Sequence, residues 1–333
     1  MLLRCALESG YDFMTEFLAP ALDGADVIER CEIGGMTIAY ETFGRPENPA
    51  LLLIVGLGMQ LRAWPDAFCR ALADTGLYVI RFDNRDIGLS SQFKTKKPYP
   101  SPIKAFVRGV MKRDIGAPYD LYAMADDATG LLDHLGVTEV HVVGVSMGGM
   151  IAQILAAREP ERVKTLTSIM STSGHPELPR SRLAVLRRLA KKPKSRAPDD
   201  VAVQMAKTMR MIGSTDPKLA RSEADWYREC LKNAERAYSP AGTHRQMLAV
   251  LSATSRRDIL KTIRQPALVI HGKADPLLPV AHGRDTAAHL PNVHYEEIAG
   301  LGHDLPPRLL PRYVTWIRAL INGELAMDNA HGA

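Results

Sequence analysis

The sequence predicts an α/β protein, built on a mostly parallel sheet of eight strands with helices on both faces and a helical insertion. Short segments rich in apolar and β-branched residues alternate with stretches long enough for helices, as in parallel sheets. Near-continuous apolar runs such as 51–55 fit strands that are covered on both faces. The length of 333 residues allows roughly two units at about 150 residues each.

The strands follow from the apolar runs, and the first two, separated by Gly34 and Gly35, are expected to form an opening hairpin. The predicted strands are 27–32, 36–41, 51–55, 77–82, 140–144, 165–170, 267–271 and 293–298. Between them, apolar residues at helical spacing predict helices over 66–74, 121–135 and 147–158.

The interval 174–263 breaks this alternation because it contains no strand pattern. Helical spacing instead predicts helices over 182–191, 199–211, 222–235 and 243–252, with Pro and Gly between them. We expect this interval to form a cap over the carboxyl ends of the strands, where ligands bind in open α/β sheets. The predicted units are therefore a core of 26–173 and 264–322, a cap of 174–263, an N-terminal extension of 1–25 and a tail of 323–333.

Composition is that of a globular protein, with 46% hydrophobic and 24% charged residues. The longest apolar run, 50–59, is far shorter than the ~20 residues of a membrane-spanning helix, and Glu8 and Asp12 interrupt any N-terminal signal sequence. Four cysteines are scattered singly, as Cys5, Cys31, Cys69 and Cys230. We therefore expect reduced thiols in a cytoplasmic protein without membrane insertion.

The formal net charge of +5 comes from one segment. Eight Lys and Arg residues and no acid lie between Arg180 and Arg196, while Leu183, Leu186 and Leu189 recur at three-residue intervals. This pattern predicts an amphipathic helix whose charged side faces water. Attraction of acidic substrates, a membrane surface or another protein is the alternative. We expect no nucleic-acid partner because no aromatic platform or known motif accompanies the charge.

The motif Gly-Val-Ser-Met-Gly at 144–148 follows a predicted strand and opens a charge-free helix. A serine on such a tight turn projects its hydroxyl into a cleft, and the flanking glycines avoid collisions with neighbouring backbone. The pattern alone also arises by chance. Its position between a strand and a helix predicts that Ser146 is a nucleophile.

A serine nucleophile needs a base, and His303 follows the last predicted strand, from which a loop can return to Ser146. Asp275 lies just past the preceding strand and is predicted to orient His303. The alternatives are a surface-loop histidine and a turn-forming aspartate before Pro276. Asp304 is adjacent to His303 in the sequence, so we expect it to point away and to stabilise the loop.

The oxyanion formed during attack on a carbonyl needs donors already in place. We predict the backbone amides of Met147, directly after the nucleophile, and of Leu57, in the Gly-Leu-Gly-Met turn at 56–59. A plain connection between a strand and a helix is the alternative for this turn.

These motifs together resemble the α/β-hydrolase family with a helical cap, over residues 27–321. The segment Asp-Asn-Arg-Asp-Ile-Gly-Leu-Ser at 83–90 is similar to the family's Asp-x-Arg-Gly-x-Gly-x-Ser turn, with Asp86 in place of the first Gly. Val55 stands where many members have His. The stretches 56–64 and 84–88 are most similar to esterases of the aclacinomycin methylesterase type.

The resemblance implies a serine hydrolase that cleaves a carboxylic ester of a moderately apolar small molecule through an acyl-enzyme, without a metal or organic cofactor. Lactone hydrolysis, carbon–carbon cleavage, perhydrolysis or acyl transfer would use the same triad. A non-catalytic ligand-binding protein of this fold is the alternative from another class.

Methionine linings adapt to irregular apolar ligands, which favours a methionine-rich substrate pocket. The predicted substrate-binding residues are Met59, Met205, Met209, Trp226 and Met247. For each methionine, ordinary core packing is the alternative. A small-molecule ester is the expected partner, and a homodimer is compatible with the sequence.

Overall fold

The computed structural model describes residues 28–328 apart from 96–97, 102–103, 106–107, 109–110 and 112. The predicted extension 1–25 and Cys5 lie outside the described residues. The strands are β1 (Glu29–Ile33), β2 (Met36–Phe43), β3 (Ala50–Ile54), β4 (Tyr78–Phe82), β5 (Val140–Val145), β6 (Val163–Ile169), β7 (Ala267–Gly272) and β8 (Val293–Ile298). All eight predicted strands are confirmed, because no strand end differs from its prediction by more than two residues.

Helices fill the intervals between these strands. They are α1 (Asp66–Asp74), α2 (Leu121–His134), α3 (Met147–Arg158), α4 (Leu183–Leu189), α5 (Pro198–Ile212), α6 (Glu223–Arg236), α7 (Pro240–Ser252), α8 (Arg257–Leu260), α9 (Ala281–Ala288) and α10 (Leu310–Ile321). The four helices predicted between β6 and β7 are α4 to α7. We call residues 174–263 the helical insertion; its boundaries as a separate unit stay a prediction.

The strand order is β1-β2-β4-β3-β5-β6-β7-β8. In this order, each strand from β4 through β3 to β8 pairs in parallel with the next. The strands β1 and β2 are antiparallel to each other, and β2 is antiparallel to β4. Gly34 and Gly35 join β1 to β2 with φ of 56° and 78°, the positive values that a two-residue hairpin of this kind needs. The mostly parallel sheet and its opening hairpin are therefore confirmed.

Two hydrophobic clusters cover the two faces of the sheet, and alternate residues of β3 show the division. Leu52 and Ile54 pack in the cluster that includes α2 and α3, while Leu51 and Leu53 pack in the cluster that includes α1 and α10. This follows from the two-residue period of a strand. A strand buried on both faces requires an uninterrupted apolar run, as the sequence has at 51–55.

The sheet has a switch point between β3 and β5. After β3 the chain moves to β4 on one side, and it then returns to place β5 on the other side of β3. The helices that follow β3 and β5 therefore pack on opposite faces of the sheet, α1 on one and α3 on the other. In open α/β sheets, ligands bind at the carboxyl ends of the strands at such a switch point. Ile54 and Gly144 are opposite each other at this edge, so the Gly-Leu-Gly-Met turn and Ser146 emerge side by side.

The segment with the high positive charge includes α4, and both the charged residues and the leucines of this helix are exposed. The charged side is exposed, as predicted, yet Leu183 is 60% exposed and Leu189 46%. The predicted exposure of the charged side is confirmed, but the leucines do not form the buried side, because the helix is held through Val185.

Within the described residues, none of the helices has both the length and the apolar character needed to cross a membrane. Cys31, Cys69 and Cys230 are buried free thiols, which confirms the prediction for these three residues.

Arg81 is a fully buried charge on β4. Its guanidinium donates to Glu41, the residue opposite on β2, with an Nε–Oε2 distance of 2.8 Å. It also contacts Asp66 on α1 and the carbonyl oxygen of Trp64, and lies 4.9 Å from the centre of the Phe43 ring. A charge buried inside a protein without a partner is costly. Arg81 and Glu41 can therefore be buried only while both are present.

We expect Arg81→Met to lower the free energy of unfolding by about 3–5 kcal/mol, because it leaves the buried Glu41 carboxylate without its main partner. The double variant Arg81→Met/Glu41→Leu removes both charges and should recover part of this loss. Urea unfolding extrapolated to water measures both values. An equal loss in the single and double variants would contradict the pairing argument.

A second stability prediction concerns His141 on β5, whose Nδ1 lies 3.0 Å from Thr165 Oγ1 on β6. Burial lowers the pKa of His141 to about 4, against about 6.5 in an unfolded chain. Between these values only the unfolded chain binds the proton, so the free energy of unfolding falls as the pH is lowered through this window.

His141→Gln keeps a hydrogen-bonding side chain and removes the titration. Its free energy of unfolding is therefore expected to change less than that of the wild type between about pH 7 and about pH 4.5. Chemical denaturation at both pH values measures the difference, and parallel profiles for the two proteins would overturn the prediction.

Candidate active site

Ser146 occupies the turn between β5 and α3 with φ of 55° and ψ of −119°. Residues other than glycine rarely adopt this backbone conformation. The neighbouring glycines make this turn possible. A Cβ atom on Gly144 would lie 2.2 Å from the carbonyl oxygen of Gly148, and one on Gly148 would lie 2.2 Å from that of Ile54. The motif therefore follows from close backbone contacts between the strand, the turn and the helix.

Two hydrogen bonds from β6 and the loop after it hold the turn in place. The Ser146 amide donates to the carbonyl oxygen of Ile169 at 2.9 Å, and the hydroxyl of Ser171 donates to the carbonyl oxygen of Ser146 at 2.7 Å. Sequence reasoning missed Ser171, because a hydroxyl that bonds backbone leaves no motif of its own.

The structure brings Ser146, His303 and Asp275 together. His303 Nε2 lies 2.9 Å from Ser146 Oγ, and His303 Nδ1 lies 2.6 Å from Asp275 Oδ2. An ionised carboxylate can only accept hydrogen bonds, so Nδ1 carries the proton and donates it. Nε2 then has a free lone pair, which accepts the hydrogen bond of the Ser146 hydroxyl.

Asp275 is held as a carboxylate by its surroundings. Its Oδ1 accepts hydrogen bonds from the amides of Leu277 and Leu278, both at 2.8 Å. Burial raises the pKa of Asp275, but the charge of a protonated His303 and the hydrogen bonds from His303 and Leu278 outweigh burial and lower the pKa below its ordinary value. Asp275 is therefore ionised at neutral pH.

The loop that carries His303 rests on the end of α5. The His303 amide donates to the carbonyl oxygen of Ile212 at 2.7 Å, and Asp304 Oδ1 accepts a hydrogen bond from Ser214 at 2.7 Å. Burial raises the pKa of Asp304, whose Oδ2 is buried without a hydrogen-bond partner. Asp304 thus joins the His303 loop to the helical insertion through Ser214. The imidazole donates its hydrogen bond to Asp275 instead, so Asp304 stabilises the loop as predicted.

The two predicted oxyanion donors belong to residues next to the serine turn in the chain or in space: Met147 follows Ser146, and Leu57 follows Gly56, which packs against Ser146. A Cβ atom on Gly56 would lie 3.3 Å from Ser146 Cβ and 3.1 Å from Met59 Sδ, so the turn containing Leu57 packs against the serine. Met147 is the first residue of α3, where the positive end of the helix dipole favours negative charge. This arrangement can place two amides near a developing oxyanion.

Gln246 of α7 reaches this turn from the helical insertion. Its Oε1 accepts a hydrogen bond from the Gly58 amide at 2.8 Å, and its Nε2 donates to the carbonyl oxygen of Arg85 at 2.9 Å. The side chain is fully buried. The sequence gives no sign of this contact, because Gln246 and Gly58 are 188 residues apart.

Asp86, which stands where the family turn has Gly, binds the helical insertion. Its φ of 78° is the value that glycine would allow, and its carboxylate accepts two hydrogen bonds from Arg245 of α7. Tyr119 and the amide of Phe93 also donate to it, at 2.6 and 2.7 Å. The contacts of the carboxylate explain why this position carries a charged residue.

The predicted substrate-binding residues lie in three different places. Met59 lies beside the serine, as described above. Met205, Met209 and Trp226 pack together between α5 and α6, and a Cβ on Gly213 would lie 3.5 Å from the Trp226 ring. Met247 is half-buried on α7. For all five residues, contact with a substrate stays a prediction.

Among the described residues, no group of three or more His, Cys, Asp or Glu side chains has an arrangement that could hold a metal ion.

The chain is similar to several known proteins. Rhodomycin D methylesterase DauP of Streptomyces sp. (strain C5) is 30% identical over 289 residues, which are 81% of this chain and 90% of the relative. A poly(3-hydroxyalkanoate) depolymerase of Ectopseudomonas oleovorans is 32% identical over 251 residues, covering 75% of this chain and 76% of the relative.

The crystal structure of the enol-lactonase from Burkholderia xenovorans LB400 superposes with a TM-score of 0.65 at 21% identity, covering 88% of this chain and 98% of that one. This likeness shows the fold. Residues 49–306 match the family described by the alpha/beta hydrolase fold. The resemblance inferred from the sequence motifs is therefore confirmed, and the chain belongs to the α/β-hydrolase family.

Proposed function

We propose that the protein is a serine esterase, which cleaves a carboxylic ester of a moderately apolar small molecule through an acyl-enzyme intermediate. The observation that carries this proposal is the continuous hydrogen-bonded series from Asp275 through His303 to Ser146. The protein is a carboxylic ester hydrolase by its relatives, since two methylesterases match it over four fifths of the chain.

The first half of the reaction forms the acyl-enzyme. His303 Nε2 accepts the hydroxyl proton as Ser146 Oγ attacks the ester carbonyl, and Asp275 stabilises the imidazolium that results. The amides of Leu57 and Met147 donate to the oxyanion of the tetrahedral intermediate. His303 then gives its proton to the alcohol oxygen, and the alcohol leaves.

The second half of the reaction repeats these steps with water in place of serine. His303 removes a proton from water as the water oxygen attacks the acyl carbonyl. The proton returns to Ser146 Oγ when the acyl bond breaks, so the free enzyme is restored and the carboxylic acid is released.

The helical insertion is proposed to act as a cap that selects the substrate. It contacts the site at two points, through Gln246 at the turn after β3 and through Ile212 at the His303 loop. A moderately apolar acyl or alcohol group fits the proposal because Met59 lies beside Ser146 and Trp226 lies near the His303 loop.

We expect Ser146→Ala to lower kcat for p-nitrophenyl esters by at least about 10⁴-fold, because the nucleophile is lost while the binding groups remain. Ser195→Ala changes an exposed serine of the helical insertion and is the matched control, with wild-type turnover. A series of acyl chain lengths, extended to methyl esters of bulky apolar acids, measures the preference for substrate.

Labelling by a fluorophosphonate checks the nucleophile independently of the substrate. Wild type and Ser195→Ala should be labelled and Ser146→Ala should not. Turnover that persists in Ser146→Ala would overturn the proposal, whereas labelling without ester turnover would point to lactone, acyl-transfer or carbon–carbon chemistry at the same serine. The absence of both labelling and turnover would favour a non-catalytic binding protein.

Asp275→Asn tests the orienting carboxylate. The amide can present its NH₂ group to Nδ1, which favours the wrong tautomer of His303, so kcat is expected to fall by about 10⁴-fold without loss of the fold. Asp304→Asn is the matched control, because its carboxylate bonds Ser214 rather than His303; it should keep activity within about tenfold of the wild type. Steady-state kinetics and far-UV circular dichroism of both variants decide, and the reverse order of activity would exchange the roles of the two aspartates.

A further inference from the structure

Helix α4 is fixed on the helical insertion by one of its sides. Val185 is 2% exposed, and the guanidinium of Arg188 donates to the carbonyl oxygen of Gln204 at 2.7 Å and to Thr208 at 3.2 Å, both on α5. Gln204 in turn donates to the carbonyl oxygen of Lys191 just after α4. These contacts fix the rotation of α4 about its own axis.

With this rotation, the three leucines of α4 face outward. Leu183 is 60% exposed, Leu186 39% and Leu189 46%. At about 100° per residue they share a sector of roughly 120°, so they form one continuous apolar stripe. The described chain leaves 39–60% of each of these leucines exposed, although burying apolar surface is favourable.

Positive charge surrounds the stripe. The exposed basic residues of this segment are Arg180, Arg182, Arg187, Lys191, Lys192, Lys194 and Arg196. The next acids along the chain, Asp199 and Asp200, begin α5 and accept hydrogen bonds from Tyr227 and Ser195. We call residues 180–196 the basic ridge.

We propose that the basic ridge docks the protein on the surface of an anionic lipid bilayer. The leucines would enter the boundary between headgroups and acyl chains, while the lysines and arginines pair with lipid phosphates; no segment crosses the membrane. Helices that bind in this way combine an apolar stripe with flanking Lys and Arg, and a cluster of four to eight such charges is typical.

The chemistry of the ridge favours lipid over a protein partner. Protein interfaces are enriched in aromatic residues and depleted in lysine, whereas this segment has three lysines and no aromatic side chain. The exposed leucines lie on the same short segment as seven exposed basic residues, which is the combination that helices bound to anionic bilayers share.

Sedimentation with vesicles tests the proposal without any need for turnover, so it is independent of the proposed esterase activity. The full-length protein is expected to sediment with phosphatidylcholine vesicles that contain about 30% phosphatidylglycerol, and not with phosphatidylcholine alone. Binding should weaken steeply from about 0.05 M to about 0.5 M NaCl, because salt screens the charges.

Two sets of variants separate the contributions of the stripe and the charges. Leu183→Ser/Leu186→Ser/Leu189→Ser should weaken binding by at least about tenfold, and Arg187→Gln/Lys191→Gln by about 25-fold, or fivefold for each charge. The matched controls are Leu251→Ser, an exposed leucine of α7, and Lys232→Gln/Lys261→Gln, which remove exposed charges outside the ridge. Both controls should bind as the wild type does.

Three results would overturn the proposal. The first is no sedimentation with anionic vesicles at low salt, and the second is wild-type binding by the triple leucine variant, which would mean nonspecific adsorption of charge. The third is a wild-type dimer that becomes a monomer in the triple variant by analytical ultracentrifugation, since the stripe would then be covered by a second copy of the chain.

Discussion

The site depends on the strained backbone of Ser146. A positive φ at a residue with a side chain costs on the order of 1–3 kcal/mol, and it persists only where the surroundings determine it. Here Gly144 and Gly148 let β5, the turn and α3 approach within van der Waals contact, and the sheet supplies the rest of the support through Ile54 and Ile169. The same close approach brings the turn after β3 beside the serine, so that one constraint positions both the proposed nucleophile and the proposed oxyanion donors.

The helical insertion is part of this arrangement. Arg245 of α7 binds Asp86, and Arg236 of α6 binds Asp83 with an N–O distance of 2.8 Å. Both aspartates and Arg245 are buried, and the Arg236 side chain is 10% exposed. Gln246 adds a hydrogen bond to the turn after β3. Buried ion pairs contribute little net stability, but they are intolerant of displacement because each partner left alone would be a costly buried charge. The insertion is therefore fixed against the turns after β3 and β4.

The sequence predicted the sheet and the order of its elements because both depend on local patterns. A strand covered on both faces must be apolar throughout, as at 51–55, and a two-residue hairpin needs residues that accept positive φ, as at Gly34 and Gly35. The helices α8 to α10 were not predicted. One is a single turn, and Pro311 interrupts the apolar spacing of α10 near its start, although proline is well tolerated in the first turn of a helix.

Sequence by itself thus determined the fold and the three residues whose contacts the proposed mechanism needs, because parallel strands bring their carboxyl ends to one edge whatever lies between them. Tertiary structure decided the contacts between residues distant in the chain. Arg245, which forms the ion pair with Asp86, lies 159 residues away from it, and Gln246 contacts a turn 188 residues before it. Periodicity also could not tell which side of α4 would be buried, since Val185 and Arg188 pack on α5 and leave the leucines exposed. A pattern of apolar residues shows that a helix has two sides, but only the packing of its neighbours decides which side is covered.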